Sequence, residues 1–264
     1  MIIFHAGSLS LPIKAMSDAF MRMHPKVRIL SEGAGSLDCA RKITDLRRPC
    51  DIIASADYVV IDRLIVPKFA SENRPFARNE MALVHTSKSR FAHEINSDNW
   101  KEIILRPQVY IGRSDPDADP CGYRTLLTLK LAGCEQEVKA KKNQFMRPKE
   151  VDLLALLESG SVDYIFLYKS VAIQHGLPYV ALSDSINLSN VALAQHYASV
   201  GMYVRGNTPS DSLYMEGAPM VYSFAVLDNA PNPKVAKAFA DFMSDPRGGL
   251  AIMEQMGQTP IEQQ

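Results

Sequence analysis

Apolar positions along this chain follow two rhythms that alternate. Short, mostly apolar runs at residues 2–5, 27–30 and 51–54 read as strands of the kind covered on both faces. Between the first two, Leu9, Ile13, Met16, Phe20 and Met23 recur at spacings of four, three, four and three, which marks one buried helix face ending before Pro25. Each strand runs into a small turn that carries a serine: Ala6-Gly-Ser8, Glu32-Gly-Ala-Gly-Ser36 and Ser55-Ala-Asp-Tyr58, the last leading into a helix at 59–64. Ser8 and Ser36 are the N-cap type expected at such helix starts. Successive strand-to-helix turns predict a parallel sheet with crossover helices. Ser8, Ser36 and Ser55 then share the carboxyl edge of its strands, where such sheets gather ligands.

The rhythm resumes with a strand at 81–84, a helix at 100–105 and a strand at 109–111. The acid-rich loop Arg113-Ser-Asp-Pro-Asp-Ala-Asp119-Pro-Cys-Gly-Tyr-Arg124 follows. Asp119 is an N-cap type and Pro120 a preferred first helical residue, and Leu126, Leu127, Leu129 and Leu131 continue the helix. Residues 139–143 are basic and weakly patterned. Val151, Leu153, Leu154 and Leu157 then predict a helix ended by Gly160, the run at 162–167 a buried strand, and Tyr168-Lys-Ser170 the opening of another helix. Residues 206–217 read as a surface loop and 219–227 as a strand. Val235, Phe239, Phe242 and Met243, then Leu250, Ile252 and Met253, give two terminal helix faces. That last segment is too small for a third domain. The expected organisation is one lobe of residues 1–80 plus about 215–264 and a second of about 81–214.

Composition narrows the function classes. The 264 residues are 47% hydrophobic, enough for real cores, and Lys plus Arg and Asp plus Glu both total 29. The net charge is zero, so no broad field invites nucleic acid or anionic lipid, and a small ligand is the expected partner. No apolar run reaches the roughly 18 residues of a spanning helix, so a soluble globular chain is expected. The opening apolar run Met1-Ile-Ile-Phe4 has no basic segment before it and is too short for a signal peptide. Cys121 and Cys134 bracket one helix, roughly 19 Å apart at 1.5 Å per residue, and should be free thiols. Cys39 and Cys50 remain open to pairing.

The predicted lining is chemically mixed. Serine hydroxyls and helix-start N–H groups suit an oxyanion, whereas Asp119 and Glu150 at neighbouring helix starts should repel one. The conflict disappears if the anion has an electrophilic central metal able to accept further oxygen ligands, as molybdate and tungstate do and sulfate and phosphate do not.

The segments His5-Ala-Gly-Ser-Leu9, Ala34-Gly-Ser36, Ser55-Ala-Asp-Tyr58, Ser114-Asp-Pro with Asp119-Pro-Cys-Gly-Tyr-Arg124, Arg147-Pro-Lys-Glu150 and Tyr164-Ile-Phe-Leu-Tyr-Lys-Ser-Val-Ala172 resemble the tungstate/molybdate-binding proteins of the archaeal type. These are substrate-binding components of ABC transporters. The resemblance runs from residue 2 to about 245, and it departs between Leu131 and Arg147, where this chain looks shorter than many relatives. It implies a type II periplasmic-binding-protein fold, α/β with mixed sheets and crossover helices in two lobes that close on the ligand in a cleft. It also implies that Ser8 and Ser36 donate hydrogen bonds to oxo groups, that Cys121 and Val151 offer backbone N–H groups, that Tyr168 offers its phenol, and that Asp119 and Glu150 join the metal's coordination sphere.

Beyond the molybdate or tungstate ligand no cofactor is implied. The expected partner is the membrane permease of the transporter, with the chain itself a monomer and no nucleic acid involved. An extracytoplasmic location, periplasmic or membrane-tethered, follows, with the export signal absent from this chain and a cytoplasmic form as the alternative. Rival readings are a receptor for another tetrahedral oxyanion such as sulfate or phosphate, an enzyme using Asp119 or Glu150 as general acid or base, and a regulatory sensing module. No Ser-His or Cys-His arrangement supports the enzyme. Arg113, Arg124 and Arg147 flank the proposed site, either balancing the two carboxylates and the incoming dianion or standing as solvated surface charges, and are left outside the ligand set. Asp115 and Asp117 are read as loop acids, and His5 as a core or rim histidine.

Overall fold

The chain runs through β1 (Ile2–Ala6), a 3-10 turn (Gly7–Leu9), α1 (Ser10–Met23), β2 (Leu30–Ala34), α2 (Ser36–Thr44), β3 (Ile52–Ser55), α3 (Tyr58–Leu64) and β4 (Arg74–Arg78). It continues through β5 (Met81–His85), α4 (Trp100–Leu105), β6 (Ile111–Ser114), α5 (Pro120–Leu131), α6 (Glu135–Ala140), β7 (Gln144–Arg147), α7 (Glu150–Glu158), β8 (Tyr164–Tyr168), α8 (Lys169–Gln174), β9 (Tyr179–Ala181), α9 (Ala194–Tyr197), β10 (Gly201–Arg205) and β11 (Ser212–Glu216). It ends with β12 (Val221–Val226), α10 (Pro233–Met243), α11 (Gly249–Gln255) and β13 (Thr259–Pro260). This computed structural model describes residues 1–148, 150–205 and 212–261, without the side chains of residues 150 and 151. Two compact units result, Met1–Arg78 with Met220–Gln264, and Asn79–Pro219. No helix among the described residues is long and apolar enough to cross a membrane.

In the first unit the strand order is β13-β4-β12-β3-β1-β2, with β2, β1 and β3 parallel and β12 antiparallel to β3. Both faces are covered, which explains the unbroken apolar runs. Ile3, Phe76, Tyr222 and Phe224 share a core with α1, α10 and α11 through Ile13, Met16, Phe20, Phe239, Met243 and Met253. On the other side Phe4, Ile53 and Ala225 meet Cys39, Ile43 and Ile61 from α2 and α3. Fully buried Asp51 ties three segments together, its carboxylate accepting from the Ile2 and Asn232 backbone N–H groups at 2.6 Å each and from Asn232 Nδ2 at 3.1 Å.

In the second unit the order is β7-β6-β8-β5-β9, with β7, β6 and β8 parallel and β5 antiparallel to both its neighbours. Trp100 packs edge-on against Phe166 in its core. Strands β10 and β11 form a separate antiparallel hairpin.

Several expected boundaries move. The second strand begins at Leu30, because β1 sets its register from Ile2↔Leu30 to Ala6↔Ala34. Val27 and Ile29 instead pack against the core from the preceding turn. The Gly-Ala stretch thereby becomes strand, and Gly33 lies so close to His5 that a Cβ there would come within 2.9 Å of its Cε1. Strand β6 starts at Ile111 and takes in Arg113 and Ser114, both buried, because it pairs with β7, a strand that the weak pattern around 139–147 conceals. Part of the expected surface loop is β11, while residues 206–211 lie outside the described residues. All four cysteines are free and buried, which settles Cys39 and Cys50 as unpaired. Burial pushes their thiols up to about 11 and about 12.

Candidate functional site

Because β1, β2 and β3 are parallel, their carboxyl ends bring the 3-10 turn, the start of α2 and Ala56 to one edge of the first unit. Neither expected N-cap holds. Ser8 lies inside the 3-10 turn and Ser36 is the first residue of α2, preceded by Gly35, and no side chain caps either start. Their hydroxyls are used differently. Ser8 Oγ accepts the Tyr222 O–H at 3.2 Å, and Ser36 Oγ accepts the Ala56 N–H at 3.1 Å. Both serines are more than nine-tenths buried, and among the described residues neither hydroxyl donates to a protein acceptor.

Ser55, the third serine of this edge, spends its hydroxyl locally, donating to the Asp57 carbonyl and accepting the Asp57 N–H. His5 is buried, with Nδ1 2.8 Å from the Ala6 carbonyl. A carbonyl only accepts, so Nδ1 carries the hydrogen. Burial holds the ring's pKa below its usual value, which keeps it neutral.

The second unit has an equivalent edge. The carboxyl ends of the parallel strands β6, β7 and β8 lead to Asp119 and α5, to α7, and to Tyr168 and α8. Asp119 is the N-cap of α5 with Pro120 at the first helical position, and its Oδ1 accepts the Cys121 N–H at 2.9 Å. The N–H expected to serve an anion is therefore engaged by the carboxylate expected to reach the metal. The Cys121 thiol is fully buried, 3.6 Å from the Phe166 carbonyl.

Asp115 and Asp117 build the loop. Asp115 accepts the Asp117 N–H through its carboxylate and the Asp119 N–H through its carbonyl, while Asp117 accepts the Arg205 N–H. Gly122 makes this fold possible, since a Cβ there would lie 2.5 Å from the Asp115 carbonyl carbon. Glu150 and Val151 open α7, and their side chains lie outside the described residues.

Tyr168 ends β8 with its ring buried, and its phenol oxygen accepts Arg124 Nη1 at 3.1 Å. Arg124 is thus an internal residue that braces an expected ligand group, 5% exposed and far from a solvated charge. Arg113 is also buried, bonded to Gln144, the Ser114 carbonyl and the Met146 sulfur, and desolvation lowers its pKa. Arg147 is half-buried, with Nη1 on the Met146 carbonyl. Among the described residues the buried Ser114 hydroxyl, next to Arg113, has no hydrogen-bond partner.

Sequence reasoning placed Arg124 beside the site without its bond to Tyr168, and it missed Tyr222 as a neighbour of an expected ligand group. An aromatic in an apolar strand reads as core, and an arginine in a helix reads as surface. Among the described residues no three His, Cys, Asp or Glu side chains converge as they would around a metal cation.

Comparison with known proteins agrees over nearly the whole chain. The model of the family described as bacterial extracellular solute-binding protein matches residues 2–257. A solute-binding protein of Petrotoga mobilis is 46% identical over 98% of this chain and 83% of its own length. The molybdate/tungstate-binding protein WtpA of Thermococcus kodakarensis is 37% identical over 96% of this chain and 80% of its own. Among solved structures, the periplasmic molybdate-binding protein of Azotobacter vinelandii superposes with a TM-score of 0.72 at 15% identity, covering 100% of both chains. The substrate-binding domain of a molybdenum ABC transporter from Clostridium difficile gives the same TM-score, 0.72, at 17% identity over 99% of each chain. These structures share the periplasmic-binding-protein fold expected from the sequence. The chain belongs to the bacterial extracellular solute-binding protein family, whose members bind solutes for transport and are not enzymes, and within it resembles the molybdate/tungstate-binding proteins.

Proposed function

We propose that this chain captures molybdate or tungstate outside the cytoplasm and delivers it, as a monomer, to the permease of an ABC transporter. The relatives named for these anions at 37% and 38% identity support the ligand class. One observation in the chain itself carries the reading: Ser8 and Ser36 are two buried hydroxyls at a strand edge, each accepting a hydrogen bond, with their own hydrogens not donated to any described residue. Leaving a buried donor unused costs about 1–3 kcal/mol, and an oxyanion, which only accepts, removes that cost.

In this reading Ser8, Ser36 and Tyr168 donate to oxo groups and Asp119 and Glu150 complete the coordination of molybdenum or tungsten. The N–H groups of Cys121 and Val151 supply the helix-start dipoles. The metal is part of the cargo rather than a resident cofactor. Asp119 plays two alternating parts. When its carboxylate turns from the Cys121 N–H to the metal, it surrenders a cap worth about 1 kcal/mol and releases that N–H to an oxo group. This exchange lets a carboxylate and an anion-binding helix start occupy the same place.

Competition tests the proposal against receptors for other tetrahedral oxyanions. Purified chain loaded with tungstate and dialysed against a thousandfold excess of sulfate or phosphate is expected to keep its tungsten, measured by elemental mass spectrometry. Displacement by sulfate at that excess would show that the carboxylates play no part and overturn the assignment.

A further inference from the structure

Tyr222 occupies an unusual position for a core residue. Its ring is fully buried among Phe76, Phe224 and the helices of the first unit, yet its hydroxyl reaches Ser8 at the strand edge. The pairing of β12 with β4 shifts register between Tyr222 and Ser223. Such irregularities re-aim side chains near binding sites.

We propose that Tyr222 is a positioning residue for oxyanion capture that acts through Ser8; this rests on the function proposed above. A serine hydroxyl has one hydrogen and can donate or accept in many directions. By donating to Ser8 Oγ, Tyr222 occupies an acceptor site, turns the Ser8 hydrogen away from itself, and polarises the hydroxyl as a donor. Ser36 is fixed the same way by a backbone donor, the Ala56 N–H. The phenol of Tyr168 accepts from Arg124 in the second unit. Three groups expected to donate to one anion thus each accept a hydrogen bond from the protein, and Tyr222 is the supporting donor that can be removed by deleting a single oxygen. A hydroxyl aligned before binding loses less freedom when the anion arrives.

The test is a double-mutant cycle on tungstate affinity by calorimetry, using Tyr222→Phe, Ser8→Ala and the double variant, with the thermal midpoint of each ligand-free protein recorded. Tyr222→Phe keeps the buried ring and is expected to weaken binding about three- to tenfold. Ser8→Ala is expected to weaken it roughly ten- to 150-fold, because it removes a bond to a charged group. In the Ser8→Ala background, Tyr222→Phe should add less than about twofold, since its route to the anion is gone. An equal Tyr222→Phe effect in both backgrounds would mark Tyr222 as a merely structural residue and overturn the inference. Unchanged affinity in Tyr222→Phe alone would do the same. A wild-type chain that binds no tungstate would overturn the function first and this inference with it.

Discussion

Asp119 is where capping and ligation make opposite demands on one side chain, and two substitutions separate them. Its Oδ1 accepts the Cys121 N–H at 2.9 Å at the start of α5. Asp119→Ala removes both the cap and the charge. Losing an N-cap costs about 1 kcal/mol, which for a protein of this size lowers the thermal midpoint by about 2–4 °C. Asp119→Asn keeps an amide oxygen able to accept from Cys121, and asparagine caps as well as aspartate, so the ligand-free midpoint should stay within about one degree of wild type. For the anion the two variants should look alike. Each loses the carboxylate that would reach the metal, an interaction of about 1.5–3 kcal/mol, so tungstate affinity should fall roughly ten- to 150-fold in both. Scanning calorimetry of the ligand-free proteins and titration calorimetry with tungstate give the two readings. Asp119→Asn binding like wild type would refute the ligand role and leave Asp119 a cap. Asp119→Asn as unstable as Asp119→Ala would refute the capping account.

Other consequences concern the scaffold. Gly122→Ala should destabilise by about 1–3 kcal/mol although alanine is the better helix former, because the new Cβ would meet the Asp115 and Pro116 backbone at 2.5–2.6 Å; thermal melts decide the sign. Asp51→Ala should cost about 1–3 kcal/mol by urea denaturation, since it takes the buried carboxylate away from the partly buried Ile2 and Asn232 N–H groups. The depressed pKa of His5 means that the unfolded chain takes up its proton first. Stability should therefore fall as pH drops below about 6.5 towards the lower folded value, and His5→Asn should flatten that part of a pH series of thermal midpoints.

The fold class was legible because its signals are local. The four-and-three spacing from Leu9 to Phe20 needs only one helix face, and the Asp119-Pro120 cap needs only its own first turn. Strand limits were less so. The start of β2 depends on its pairing with β1, and the inclusion of Arg113 and Ser114 in β6 depends on β7, a partner about thirty residues away that shows little alternation. Serine at a helix start reads as a cap because that is its common use. Only the fold shows that Ser8 and Ser36 accept from Tyr222 and Ala56 instead. Arg124 and Tyr222 carry no sequence mark of their roles, since each acts through a residue at least 44 positions away. The ligand assignments for Asp119 and Glu150 rest on their predicted places at neighbouring helix starts together with the resemblance.

Titration of the ligand-free chain with sodium molybdate and with sodium tungstate, at micromolar protein, bears most directly on the central claim. Saturable binding of one anion per chain, persisting in millimolar sulfate, is the predicted result. No heat and no saturation with either anion would contradict it.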